Sequence, residues 1–248
     1  MYTPSQPGIP RILQDGVSYQ EHRPFSACDS QIFCFWELRT SYELPEDCHY
    51  LVLPDACIDL VFDTSGRTAD GMMVMTPGLQ ALDLNLGRRF SYSGIRLLPG
   101  VWRDTRRIVA QSQSFSTLAT VCLVHLCSQL AACSHFSEQQ ALLQTFINRL
   151  TDQGTINKTA WMPEFLAQSD QLASVEDLVQ MSGYSRRHLQ RLCLERTGFS
   201  THDFLKILRF HASITRQSID AYTDQSHYIR EFKRITGKAP VAFRQQYR

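Results

Sequence analysis

Apolar residues change their period part-way along the chain. Between about residues 31 and 96 they fall in short alternating or continuous runs, "IFCFWEL", "HYLVLPDACIDLVFD", "MMVMTP" and "RFSYSGIRLLPGVW", separated by Pro, Gly, Asp and Ser clusters. Runs of this kind between turn formers predict the strands of an antiparallel sheet or barrel. Within "ACIDLVF" the two-residue repeat puts Cys57, Asp59 and Val61 on one face and Ile58, Leu60 and Phe62 on the other. The last strand is expected to end at Pro99-Gly100.

From about residue 115 the spacing becomes helical. "STLATVCLVHLCSQLAAC" carries Leu118, Cys122, Leu126 and Leu130 at helical intervals, with Ser116 as the expected N-cap. "SEQQALLQTFINRLTDQG" follows, capped by Ser137, with Ala141, Leu142, Phe146, Ile147 and Leu150 on one side and Gly154 at its end. "KTAWMPEFLAQSD" predicts a short helix or loop, and Ser169-Asp170-Gln171 a hinge. Beyond the hinge the pattern is helical throughout. Ser174, with Asp177 three residues on, predicts a capping box; Gly183-Tyr184-Ser185 breaks that helix, and a second opens at Arg186 and stops at Gly198. Helix, glycine turn and amphipathic helix make a helix-turn-helix unit. The expected class is α+β in three regions: a β-rich sensory domain over 1–112, a helical linker over 113–170 and a DNA-binding domain over 171–248. In the linker, Leu118, Leu126 and Leu130 serve either a dimer contact or packing on the sheet.

Charge supports this division. The whole chain of 248 residues has a net charge of +1, but residues 1–170 carry 12 Lys and Arg against 17 Asp and Glu, while residues 171–248 carry 13 against 7. A basic C-terminal region on an acidic remainder points to different partners for the two parts. The opening "MYTPSQPGIPRILQDG" has neither a basic nor an apolar leader region, and no run approaches 18 apolar residues, so a cytoplasmic protein without membrane contact is expected.

In a helix-turn-helix the second helix lies in the major groove with its N-terminal residues at the base edges. Here Leu189, Leu192 and Cys193 form the inward set. Arg186, Arg187, His188, Gln190 and Arg191 are left to read bases or grip phosphate.

"SVEDLVQMSGYSRRHLQRLCLERTGFSTHDFLKILRF" resembles the DNA-binding region of AraC/XylS-type transcription regulators, and "DQSHYIREFKRITGKAP" resembles that family's signature at its second helix-turn-helix. "LPDACIDLVFD" and "GIRLLPGVW" are similar to an uncharacterised N-terminal domain often attached to such regulators. The resemblance implies two helix-turn-helix units joined by a connecting helix, reading successive major-groove segments of double-stranded DNA. Its implied partners include a small-molecule effector, a second copy of the chain and RNA polymerase. The second set of DNA contacts then comes from Gln225, Ser226, His227, Arg230 and Lys233.

Self-comparison bears on the two units. A shift of 39 residues pairs His188 with His227, Arg191 with Arg230, Thr197 with Thr236, Gly198 with Gly237 and Phe204 with Phe243. The bracing half does not repeat: Leu178 falls on Gln217, Val179 on Ser218 and the turn residue Gly183 on Tyr222. The second unit is therefore expected to lack its own bracing helix.

The remaining chemistry is sparse. Asp59 lies in an apolar strand and, if buried, needs a partner; it either pairs with Arg96 or faces a ligand. Trp36, Phe62 and Trp102 are either core or, with Asp59 and Arg96, the lining of an apolar pocket. Eight cysteines include no C-x-x-C pair. Cys28, Cys34, Cys48 and Cys57, with His22 and His49, are numerous enough for a metal or thiol site, but their spacings of six, fourteen and nine match no standard knuckle. They are expected to be buried thiols, with no metal and no cofactor. No nucleophile elbow, phosphate loop or metalloprotease motif is present, so no enzyme is expected. The leading expectation is a sequence-specific DNA-binding transcription regulator controlled by an effector- or partner-binding domain. The alternatives are an interaction protein whose truncated second unit no longer binds DNA, and a thiol or metal sensor.

Overall fold

A computed structural model describes residues 4, 6, 15–24, 30–66, 72–103, 115–118, 121–157, 162–168, 174–216, 219 and 222–247. The strands are β1 (Val17–His22), β2 (Ile32–Thr40), β3 (His49–Val52), β4 (Ile58–Asp63), β5 (Met72–Met75), β6 (Leu82–Asn85), β7 (Ser91–Leu97) and β8 (Phe115–Leu118). The helices are α1 (Val121–Ala132), α2 (Phe136–Asp152), α3 (Met162–Ala167), α4 (Val175–Ser182), α5 (Arg186–Thr197), α6 (Thr201–Arg216), α7 (Gln225–Thr236) and α8 (Pro240–Tyr247). An N-terminal antiparallel sheet domain is thus followed by helices alone, the expected α+β layout. None of the described helices is long and apolar enough to cross a membrane.

Six strands form one antiparallel sheet in the order β1-β2-β7-β4-β5-β8, and β3 pairs with β6 as a separate ribbon. The large sheet is open, so the barrel alternative is not realised. Its central strand β4 is buried on both faces, and the two-residue alternation assigns each face to a different layer. Ile58, Leu60 and Phe62 join Ile95, Leu97, Leu130, Leu143 and Ile147 beneath α1 and α2. Val61, with Trp36, Leu38 and Tyr50, packs on the other side toward the β3–β6 ribbon. The domain is therefore helices, sheet and ribbon in three layers.

Several elements differ from the pattern-based expectation. Ser116 is not a helix cap: residues 115–118 form β8, pairing Ser116 with Val74 and Leu118 with Met72. The sheet therefore runs past residue 112, because an available edge on β5 outweighs a local capping signal. Helix α2 starts at Phe136 rather than after Ser137, and Glu138 accepts hydrogen bonds from the backbone N–H groups of Ser134 (2.9 Å) and His135 (3.3 Å). Leu126 and Leu130 are buried against the sheet, which takes them out of consideration as dimer contacts. Strands β1 and β6 carry polar residues at alternate positions and had no apolar run to announce them. The Ser169–Gln171 hinge and Cys28 lie outside the described residues.

Phe62 is fully buried and meets Phe146 of α2 edge-on, with ring centroids 5.5 Å apart and planes at 90°. Replacing it by Ala should remove about 3–5 kcal/mol of unfolding free energy, measured by chemical denaturation. A loss below 1 kcal/mol would contradict this layering.

Candidate nucleic-acid interface and effector cavity

The first helix-turn-helix unit is assembled by caps. Ser174 Oγ accepts from the Asp177 N–H at 3.2 Å and Asp177 Oδ2 accepts from the Ser174 N–H at 2.8 Å, closing the capping box that starts α4. Gly183 ends that helix at φ 67°, a left-handed conformation that suits glycine. Ser185 caps α5, accepting from the His188 N–H at 3.3 Å. Leu178, Leu189 and Cys193 are completely buried between the helices. Arg186, Arg187, Gln190 and Arg191 are exposed on the opposite face, and His188 is half-buried beside Tyr184. Arg186 pairs with Glu176, and Arg191 lies 3.5 Å from Glu195. Such exposed pairs contribute little to stability.

The 39-residue repeat recurs in the helices, their caps and the threonine hydrogen bonds. Helices α5 and α7 each have 12 residues; Asp224 caps α7 as Ser185 caps α5, and Gly237 ends it at φ 74° as Gly198 ends α5 at 78°. The Thr197 and Thr236 hydroxyls each donate to the carbonyl four residues back, at 2.8 and 2.9 Å. Each also accepts the N–H two residues on, from Phe199 and Lys238. Phe204 and Phe243 are equally buried. On α7, Gln225, Ser226, Arg230 and Lys233 are exposed and His227 is half-buried, 3.7 Å from the buried carboxylate of Glu231.

The bracing half does not repeat in space either. Among the described residues there is no separate helix between α6 and α7, and Gln217 and Ser218 lie outside them. Phe210 and Ile214 of α6 instead pack with Tyr228, Phe232 and Ile235 of α7 and with Phe243 and Tyr247 of α8. Leu51 and Leu53 of the sheet domain complete that core.

A cavity of about 270 Å³ lies between the large sheet and the β3–β6 ribbon. Tyr19, Trp36, Tyr50 and Tyr92 line it with aliphatic and Met side chains, and Asp59 and Arg96 supply its charge. Trp36, Asp59 and Arg96 are brought together as the sequence suggested, whereas Phe62 and Trp102 lie in the core under α1 and α2, on the far face of the sheet. Gly94 makes the arrangement possible: a Cβ there would stand 2.2 Å from the Trp36 ring. Trp36 Nε1 donates to Asp59 Oδ1 at 2.8 Å, and Arg96 Nε donates to the same carboxylate at 3.2 and 3.3 Å. Arg96 is also within 3.5 Å of Asp55 and of Glu21. Burial opposes its charge, but Asp59, Tyr19 and Asp55 outweigh that and hold its pKa well above the usual value. Its buried Nη1 faces Glu21 at 3.5 Å without a hydrogen bond among the described residues. For Asp59, burial wins over Arg96 and pushes the carboxyl up to about 6.

Tyr50 escaped sequence reasoning, and so did the charge pairing of Asp55, which after Pro54 reads as a turn residue. The alternation in "HYLV" was enough to place Tyr50 and Val52 on one face, and Asp55 combines its turn role, accepting the Cys57 N–H at 2.9 Å, with charge pairing. The thiols are dispersed: Cys34 and Cys48 pack in one cluster, Cys57 in another, and burial pushes all three thiols up, away from the thiolate. His49 pairs with Asp83 at 3.0 Å and His22 faces Gln140 at 3.2 Å. The described residues contain no cluster of three metal-ligating side chains.

Residues 20–113 match the family model described as a domain of unknown function, DUF6597. The match contains both "LPDACIDLVFD" and "GIRLLPGVW", so the similarity of those segments is to a recognised domain family. Solved structures of ToxT from Vibrio cholerae are similar in outline. One at 1.65 Å resolution has 12% identity and a TM-score of 0.42, covering 92% of this chain and 97% of that one. Another, of ToxT from strain SCE256 bound to an unsaturated fatty acid, has 10% identity and a TM-score of 0.42, covering 92% and 93%. At these scores the likeness carries no weight for function. No curated protein matches the chain.

Because the folded-state pKa of Asp59 is raised, the folded protein holds this proton more tightly than the unfolded chain does. That contribution to stability is complete below the ordinary carboxylate pKa and is lost as pH rises toward and past 6. Unfolding titrations between pH 4 and 7 should show wild type losing stability relative to Asp59→Asn as pH rises. A difference that is flat or of opposite slope would contradict the assignment.

Proposed function

We propose that the chain is a sequence-specific DNA-binding transcription regulator of the AraC/XylS type, with its N-terminal domain binding a small effector. The observation that carries this reading is the spatial repeat of α5 and α7, two equally capped helices with basic exposed faces and shared hydroxyl bonds at their ends. The roles divide as groove geometry requires. Arg186, Arg187, Gln190 and Arg191 lead α5 into one major-groove segment, with His188 beside them. Gln225, Ser226, His227, Arg230 and Lys233 serve α7. Residues 1–118 then form the sensory domain and residues 174–247 the DNA-reading domain.

The cavity supports the effector half of the proposal. At about 270 Å³ it exceeds the ~150 Å³ that accommodates benzene, and its walls are aromatic and aliphatic. Nη1 of Arg96, which lies 3.5 Å from Glu21 and makes no hydrogen bond among the described residues, leaves room for a further hydrogen-bond acceptor. A compact, largely apolar molecule with one acceptor group fits both features. Recruitment of a second copy and of RNA polymerase belongs to the same reading through the sequence resemblance.

Full-length protein should bind a duplex recovered from a randomised pool, in a titration monitored by fluorescence anisotropy. Replacing Arg186 or Arg187 by Ala should cost about 1–3 kcal/mol of discrimination between that duplex and a scrambled one if the side chain reads a base. If it contacts phosphate, binding to both duplexes should weaken and the salt dependence flatten. Undiminished binding by the double variant would overturn the assignment.

A further inference from the structure

We propose that the β3–β6 ribbon of the sheet domain, with Leu53 and Ala81 that flank its strands, is the brace of the second helix-turn-helix unit, replacing the missing helix and placing α7 under direct control of the effector cavity. The consequence for DNA rests on the function proposed above; the brace itself does not.

A recognition helix needs a partner element to set its angle on DNA. For α5 that element is α4. For α7 the described chain offers no counterpart, yet α7 is not left with α6 and α8 alone. Leu51 and Leu53 belong to the same buried core as Phe210, Ile214, Tyr228, Phe232 and Ile235. At its C-terminal end, where the last helical carbonyls lack intrahelical partners, the Ile235 carbonyl accepts the Ala81 N–H at 2.7 Å. The sheet domain therefore both packs and caps α7. It does so from the side away from Gln225, Ser226, Arg230 and Lys233, which stay exposed.

The ribbon is two-sided in the way that the strand period dictates. Tyr50 and Val52 on β3, with Leu84 opposite Tyr50, line the cavity, while Leu51 between them faces the helices. A ligand that presses on Tyr50, Val52 or Leu84 thus pushes on the reverse side of the surface that carries α7. The first unit is tied elsewhere, through Ala56 and Cys57 to Leu178, Leu189 and Cys193. Movement of the ribbon changes the angle between α5 and α7, which sets whether both fit successive grooves of one duplex.

Hydrogen exchange of the full-length, DNA-free protein tests the brace. Leu51→Ala and Ala81→Pro should each speed exchange of the amides in 225–236 on the order of tenfold, leaving those in 186–197 unchanged. Val52→Ala, a neighbouring truncation on the cavity face, should disturb α7 less than Leu51→Ala does. Unchanged protection of α7 in both brace variants, or equal loosening of α5 and α7, would overturn the inference. Since no DNA is present, loss of the DNA-binding reading would leave this result standing. Conversely, a confirmed brace in a chain that binds no DNA would sink only the functional reading.

Discussion

A buried guanidinium must be matched by carboxylates, and Arg96, in the middle of the large sheet, is matched by Asp59 on the neighbouring strand and Asp55 in the turn before it. The second of these pairings fixes the course of the chain between β3 and β4. With Asp55 turned inward, Leu53, Pro54, Ala56 and Cys57 project toward the helices. Leu53 enters the core of α6, α7 and α8, the Pro54 carbonyl meets His211 Nε2 at 2.8 Å, and Ala56 and Cys57 enter the core of α4 and α5. Ala56 has φ 56°, a left-handed conformation costing on the order of 1–3 kcal/mol for a residue with a Cβ. Strain of this kind persists only where the surroundings over-determine it, and here contacts on both sides do so. Gln6 closes the turn from outside, its amide bridging Leu53 and Asp55.

The two halves of the molecule are consequently joined by packed cores and not by a tether. His211 is buried and donates to Pro54, and burial holds its pKa below the ordinary histidine value. The cavity abuts the same turn through Asp59 and Arg96. The cavity, the salt-bridge cluster and the seating of α5 and α7 thus meet within a few residues of one loop.

Much of this arrangement was legible in the chain. The strand alternation around Asp59, the caps at Ser174 and Ser185, the glycine stops and the 39-residue repeat are local signals, and local signals survive into structure when packing agrees with them. The Asp59–Arg96 pair was readable because a carboxylate in an apolar strand demands a partner. What escaped had a non-local cause. Strand β8 exists because β5 offers an unpaired edge, and the choice between core and pocket for Phe62 and Trp102 stayed open because strand parity says that two faces exist without saying which is hollow. The bracing role of Leu51, Leu53 and Ala81 could not be read either. It depends on contacts made some 150 residues further along the chain, although the missing helix that calls for it was visible as polar residues at Gln217 and Ser218.

The central claim is that two helices held on one scaffold read one duplex together. A hydroxyl-radical footprint of the full-length protein on its selected duplex measures this directly. Two protected patches about one helical turn apart on the same face of the DNA are expected, one from α5 and one from α7. Protection confined to a single patch, or spread evenly along the duplex, would contradict the account.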